Sequence, residues 1–234
     1  MSNEIVLITG ANRGIGLATA EALAQQNYQV IVTSRQQPAL EKLAQRFSKS
    51  GLHIDTLLLD VADDKSVQQA KKTIEQRYGK LDCLVNNAGV LIDNGYNFTN
   101  LPSQVIADTF NINTLGAIRC IQAFHLLLAK SNNPRIVNIS SGMGAITDMN
   151  SGCMAYRLSK TALNVVTLQS HFELHEKFKI RTVVLCPGWV KTDMGGANAT
   201  RELAEGIAGI VWAVNTPVNG PSGKYFRDGV EIPW

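Results

Sequence analysis

Cysteine is scarce in this chain. Only four occur in 234 residues, Cys83, Cys120, Cys153 and Cys186, far apart and with no C-x-x-C pair. That spacing excludes a disulfide framework and a cysteine metal site, and it leaves buried free thiols as the reading. An excess of one charge is also missing: 22 Lys and Arg against 19 Asp and Glu leave +3, with no dense basic cluster. Nucleic acid is therefore not expected as a partner. No apolar run approaches the ~18 residues of a membrane span. The first strand-like run begins at Glu4, which leaves no room for a leader, so the expected compartment is cytoplasmic. His171 and His175 stand i, i+4, but no Glu lies between them as in H-E-x-x-H and no third ligand is apparent. They read as polar positions on a helix, and no metal is expected.

What the chain does have is the composition of an ordinary globular protein, 45% hydrophobic and 18% charged, at a length that one α/β domain can fill, here 1–234. Strand-like apolar runs near 5–9, 29–34, 54–59, 81–86, 135–140, 180–186 and 223–226 alternate with helical stretches at 14–27, 38–49, 63–78, 103–130, 155–177 and 200–214. Repeated βα units require right-handed crossovers and a parallel sheet. The expected fold is a single-domain, doubly wound α/β sheet of about seven strands with helices on both faces, its ligand lying beyond the carboxyl ends of the strands. Asp63 and Thr99 read as caps or turn residues.

Two motifs carry chemistry. Thr9-Gly10-Ala11-Asn12-Arg13-Gly14-Ile15-Gly16 follows the apolar run Ile5–Ile8 and precedes Leu17–Ala24, rich in helix formers. A strand, a glycine turn and a helix form a phosphate cradle: glycine lets the backbone approach a pyrophosphate, and the helix start offers free N–H groups. The second motif is Tyr156-Arg157-Leu158-Ser159-Lys160. A phenol and an ammonium at i and i+4 share one helix face. A nearby positive charge would lower the phenol's pKa and make Tyr156 a usable acid or base near neutrality.

With these two motifs, Asp60-Val61, Asn86-Asn87-Ala88-Gly89, Asn113, Ile139-Ser140-Ser141 and Pro187-Gly188 stand in order. The chain resembles the short-chain dehydrogenase/reductase family over nearly its whole length. The run Cys186–Gly196 looks most like the NADPH-dependent carbonyl reductase branch. The resemblance implies a Rossmann fold and a nicotinamide cofactor. Gly10, Asn12, Arg13, Gly14, Ile15 and Gly16 would hold the pyrophosphate. Asp60 and Val61 would flank the adenine, although Asp60 could equally cap the next helix. Asn87, Ala88 and Gly89 would line the ribose side. Pro187, Gly188, Val190 and Thr192 would form the nicotinamide end. After the second strand stands Thr33-Ser34-Arg35, where an acidic residue would favour NAD. Ser34 and Arg35 can instead bind a 2′-phosphate, with Arg13 a second candidate, so NADP(H) is the expected cofactor. Solvated surface arginines are the plainer alternative.

By the same resemblance Tyr156 is the proton donor. Lys160 lowers its pKa and contacts the nicotinamide ribose. Ser141 bonds the substrate oxygen, with Ser140 its competitor, and Asn113 positions a water behind Lys160, with Asn111 as alternative. The Ser141–Tyr156 spacing is slightly longer than the family's commonest. The Gly-rich segment 189–199, which contains Met194, reads as a lid, and Met143, Met154 and Trp189 as candidate walls of an apolar substrate pocket. An apolar aldehyde, ketone or quinone is the expected small-molecule substrate. A 3-oxoacyl-thioester reductase, a hydroxysteroid dehydrogenase and a catalytically idle NADPH sensor are the alternatives. The intact Asn-Ser-Tyr-Lys set argues against the sensor. Family members often pair through the helices that correspond to 103–130 and 155–177, so a homodimer is expected.

Overall fold

β-branched and leucine-rich runs become strands here because both of their faces are covered. A computed structural model describes residues 4–234. Its strands are β1 (Ile5–Ile8), β2 (Gln29–Ser34), β3 (Ile54–Leu58), β4 (Cys83–Asn86), β5 (Arg135–Ile139), β6 (Arg181–Leu185), β7 (Lys224–Arg227) and β8 (Val230–Glu231). They form one sheet in the order β3-β2-β1-β4-β5-β6-β7-β8, parallel throughout except for the antiparallel β7–β8 pair. The two-residue β8 was not expected. It exists because Asp228 and Gly229 both take positive φ, 53° and 76°, the geometry of a tight hairpin turn.

The helices are α1 (Gly14–Ala24), α2 (Gln37–Phe47), α3 (Asp64–Tyr78), α4 (Ser103–Phe110), α5 (Gly116–Leu128), α6 (Met154–Ser170), α7 (Glu176–Phe178) and α8 (Leu203–Val214). Side-chain alternation along β1 divides the core. Val6 and Ile8 pack with α1, α2 and α8 residues such as Leu23, Leu43 and Ile210. Ile5 and Leu7 face the α3 and α5 side, with Ile74, Phe124 and Leu128. Each such side chain contributes about 1.5–3 kcal/mol on burial. A third, smaller cluster joins Ala145, Val184, Cys186 and Tyr225 to Ile232 and Trp234 at the C-terminal end.

The expected helices 103–130 and 155–177 are each interrupted. π-helical turns occupy Asn111–Leu115 and His171–His175. Such turns widen a helix locally without stopping it and are frequent at functional sites. At the start of α3, Asp63 accepts from the Lys65 amide at 3.0 Å. No helix among the described residues is long and apolar enough to cross a membrane.

Candidate active site

The carboxyl ends of β1, β2, β4, β5 and β6 open onto one cleft of about 610 Å³. Gly10, where the chain leaves β1, has φ +60°, and a Cβ there would lie 2.9 Å from Ala88 Cα. At Gly16 a Cβ would sit 2.5 Å from Asn87 Nδ2 and 2.8 Å from Ala11 Cα. Only glycine lets the turn and the Asn87–Ala88 segment approach this closely. The segment is locked in place: Asn87 Nδ2 donates to the Thr9 and Gly10 carbonyls at 2.9 and 3.1 Å. The start of α1 has no side-chain cap and no acidic residue in its first turn. Its N–H groups and positive dipole end are therefore left for an anion.

Most of the nucleotide residues expected from the sequence meet in this cleft: Gly10, Asn12, Arg13, Gly14, Ile15 and Gly16 at the turn, Ser34 and Arg35 after β2, Asp60 and Val61 after β3, Asn87–Gly89 after β4, and Pro187 and Thr192 after β6. Asp60 Oδ1 accepts from the Ala62 amide at 2.9 Å, and helix capping falls to Asp63. Two residues are set differently. Val190 is buried, and a Cβ on Gly206 in α8 would meet its side chain at 2.5 Å. Gly188 lies against the Arg201 side chain. Gln36, Val90, Ile112, Lys191 and Asp193 also line the cleft. No local pattern marks them, since the topology alone brings them there.

The two basic candidates separate. Arg13 Nη1 pairs with Asp193 Oδ2 at 2.6 Å, whereas Arg35, at the cleft wall, makes no ion pair among the described residues. Ser34 Oγ accepts from the Gln36 amide at 3.1 Å.

Tyr156 and Lys160, both buried, stand on α6 facing the cleft, with Lys160 Nζ 5.5 Å from the phenol ring centroid. Lys160 Nζ donates to the Ile139 carbonyl at 2.8 Å. A Cβ on Gly89 would lie 3.5 Å from Lys160 Nζ and 3.3 Å from Asn113 Oδ1, so these groups converge. The electrostatics differ from the sequence expectation. Burial pushes the Tyr156 phenol up to about 12, and hydrogen bonding to the Ser141 side chain only partly opposes this. Burial also pushes the Lys160 ammonium down to about 8. Desolvation penalises both charged forms and outweighs the mutual effect that i, i+4 spacing suggested.

Ser140 lines the cleft, whereas Ser141 does not. Ser140 Oγ is directed at the Lys160 carbonyl, 3.3 Å away. Ser141 Oγ accepts from the Met143 amide at 3.2 Å. Asn111 is engaged with Arg119, at 2.8 Å through its side chain. Asn113, within the π-turn, holds Val90 at both ends: its Oδ1 accepts from the Val90 amide at 2.8 Å and its Nδ2 donates to the Val90 carbonyl at 2.9 Å. Its Nδ2 also donates to Ser159 Oγ. None of the expected walls Met143, Met154 and Trp189 lines the cleft, whereas Met194 of the lid segment does. Trp189 is folded back, donating from Nε1 to the Gly195 carbonyl at 2.8 Å.

The family model for short chain dehydrogenases matches residues 4–203. This chain belongs to the short-chain dehydrogenase family. A short-chain dehydrogenase of Penicillium roqueforti, anuI, is 33% identical over 231 residues, covering 91% of this chain and 89% of the relative. Among solved structures, the NADPH-bound carbonyl reductase from chicken fatty liver is 30% identical with a TM-score of 0.88, over 99% of this chain and 94% of that one. The carbonyl reductase Sniffer of D. melanogaster is 33% identical with a TM-score of 0.89, over 99% of this chain and all of that one. As a short-chain dehydrogenase the chain is an oxidoreductase that works on a small molecule with a nicotinamide nucleotide.

Proposed function

We propose that the protein is an NADPH-dependent carbonyl reductase that converts an apolar aldehyde, ketone or quinone to an alcohol. One observation carries the reading: a single continuous cleft runs from the unpaired Arg35 past the uncapped start of α1 to the Tyr156 phenol. The glycine contacts and the free helix donors suit a pyrophosphate, and Arg35 suits a 2′-phosphate. The reduced nicotinamide would supply hydride to the carbonyl carbon. Ser141 and Tyr156 would both donate hydrogen bonds to the carbonyl oxygen and fix its position. As that oxygen gains negative charge, Tyr156 gives it the phenolic proton. An alkoxide is a stronger base than a phenolate, so the transfer runs downhill even from a phenol near 12. The Lys160 ammonium, held by the Ile139 carbonyl, stabilises the phenolate left behind. Asn113 acts through Val90, holding the wall beside Lys160.

The lid role belongs to 189–199, whose Met194 reaches the cleft. A homodimer is part of the same reading: α5 and α6 border an apolar groove, and Leu158 and Val165 on α6 are about half exposed. All four cysteines are free thiols, which fits the reducing cytoplasm.

NADPH consumption against aldehydes, quinones, ketones and a 3-oxoacyl thioester tests the reading, with NADH and Tyr156→Phe run alongside. Turnover with NADPH should fall at least ~10²-fold in the variant while nucleotide binding is kept. Near-normal turnover by Tyr156→Phe would sink the mechanism, and preference for the thioester would replace the substrate class.

A further inference from the structure

The start of α6, which carries Tyr156, is capped from a distant part of the chain. Its own N-cap residue, Cys153, sits in the left-handed region at φ +51° and supplies no side-chain bond. Asp93 Oδ2 takes that place, accepting from the Ala155 amide at 2.7 Å and the Tyr156 amide at 3.2 Å. Asp93 is almost fully buried, and its other oxygen, Oδ1, has no hydrogen-bond partner among the described residues. A buried oxygen without a partner carries a cost, which this carboxylate bears while holding the start of α6.

Asp93 lies three residues beyond Val90, whose amide and carbonyl are both held by Asn113. Three residues span at most ~10 Å. The segment therefore runs as a short strut, fixed at one end beside Gly89 and Lys160 and at the other on the backbone of Tyr156 itself. We propose that Asp93 is a positioning residue that sets the phenol's place relative to the nucleotide-facing wall. It does not line the cleft. The proposal rests on the reading of Tyr156 as proton donor.

The physical reason for an effect on rate is geometric. A displacement of about 1 Å at a reacting group costs up to ~10²-fold in rate. A helix start held by a charged acceptor is stiffer than one held by a neutral acceptor, and far stiffer than one left bare.

The test uses Asp93→Asn, which keeps an acceptor without charge, and Asp93→Ala, which removes it. The control is Asp63→Ala, which strips the corresponding cap from α3. The expected result is a graded loss of kcat, ~3-fold or more for Asp93→Asn and at least ~10-fold for Asp93→Ala, with the NADPH dissociation constant within ~2-fold of wild type. Asp63→Ala should lower thermal stability and leave kcat per folded molecule unchanged. Wild-type kcat in Asp93→Ala would overturn the proposal, as would kcat falling only in step with NADPH affinity or folded fraction. If Asp93→Ala does not fold, Asp93→Asn decides: reduced kcat at unchanged NADPH affinity supports the strut, and wild-type kcat refutes it. Tyr156→Phe measured beside them separates the two levels. Retained turnover there defeats the proton-donor reading, whereas lost turnover with an inert Asp93 series defeats only the strut.

Discussion

Replacing Lys160 by Met should make the nucleotide-free protein more stable while it abolishes the activity. Lys160 is buried, and its ammonium is pushed down from 10.5 to about 8. Below pH 8 the amine is protonated in both the folded and the unfolded chain, and the folded chain carries the full cost of the buried charge. The drop of roughly 2.5 pH units corresponds to about 3 kcal/mol. Met keeps the apolar stem and removes the charge. It also leaves the Ile139 carbonyl without its Nζ donor, a loss of about 1 kcal/mol. The net gain at pH 7 is about 2 kcal/mol, or a Tm rise of roughly 4–8 °C for a chain of this size. The sign with pH follows from linkage. The unfolded chain binds more protons between pH 8 and 10.5, so the wild type recovers stability as pH rises through that window. At pH 9.5 the advantage of the variant should therefore shrink by about 2 kcal/mol. Thermal unfolding of both proteins at the two pH values measures this, and titrations common to both cancel in the difference. A variant less stable than wild type at pH 7, or a difference that does not change with pH, would refute the reasoning.

Three further outcomes follow from the same geometry. Arg35→Ala should weaken NADPH by about 10-fold or more and NADH little, since a charge-assisted bond to phosphate contributes about 1.5–3 kcal/mol; equal losses in titrations with both nucleotides would make Arg35 structural. Gly16→Ala forces a Cβ to within 2.8 Å of Ala11 Cα and should cost about 1–3 kcal/mol of stability, together with nucleotide affinity; an unchanged Tm would show that the turn has slack. The kcat/KM for NADPH, which reports the free enzyme, should fall as pH rises through about 8, where Lys160 loses its proton; a flat profile from pH 6 to 10 would separate Lys160 from catalysis.

The sheet was legible because its chemistry is local. Ile5–Ile8, Val30–Val32 and Cys83–Val85 are apolar runs buried on both faces, and burial on both faces is what such runs encode. The glycine turn was legible because Gly10 and Gly16 stand where no side chain fits. The electrostatics of Tyr156 were not legible. Helical spacing gives the distance to Lys160, but the depth of burial depends on elements far along the chain. The roles of Ser140 and Ser141 were not legible for a related reason: neighbouring residues leaving a strand face opposite ways, and here Ser140 lines the cleft while the Ser141 side chain bears on the phenol. Asp93 gives no signal at all. It reads as one more polar loop residue, and its partners are 62 and 63 positions away.

The Arg13–Asp193 contact ties two segments 180 positions apart. One is the glycine turn after β1, and the other is the stretch after β6. Both side chains are largely exposed, so dissolved salt reaches the pair and weakens it. If Arg35 binds a 2′-phosphate as proposed, salt also screens that attraction. Ionic strength therefore acts on nucleotide capture in two opposite senses, loosening a tie across the opening while blunting the attraction behind it. On the proposed reading, the salt dependence of capture combines both effects.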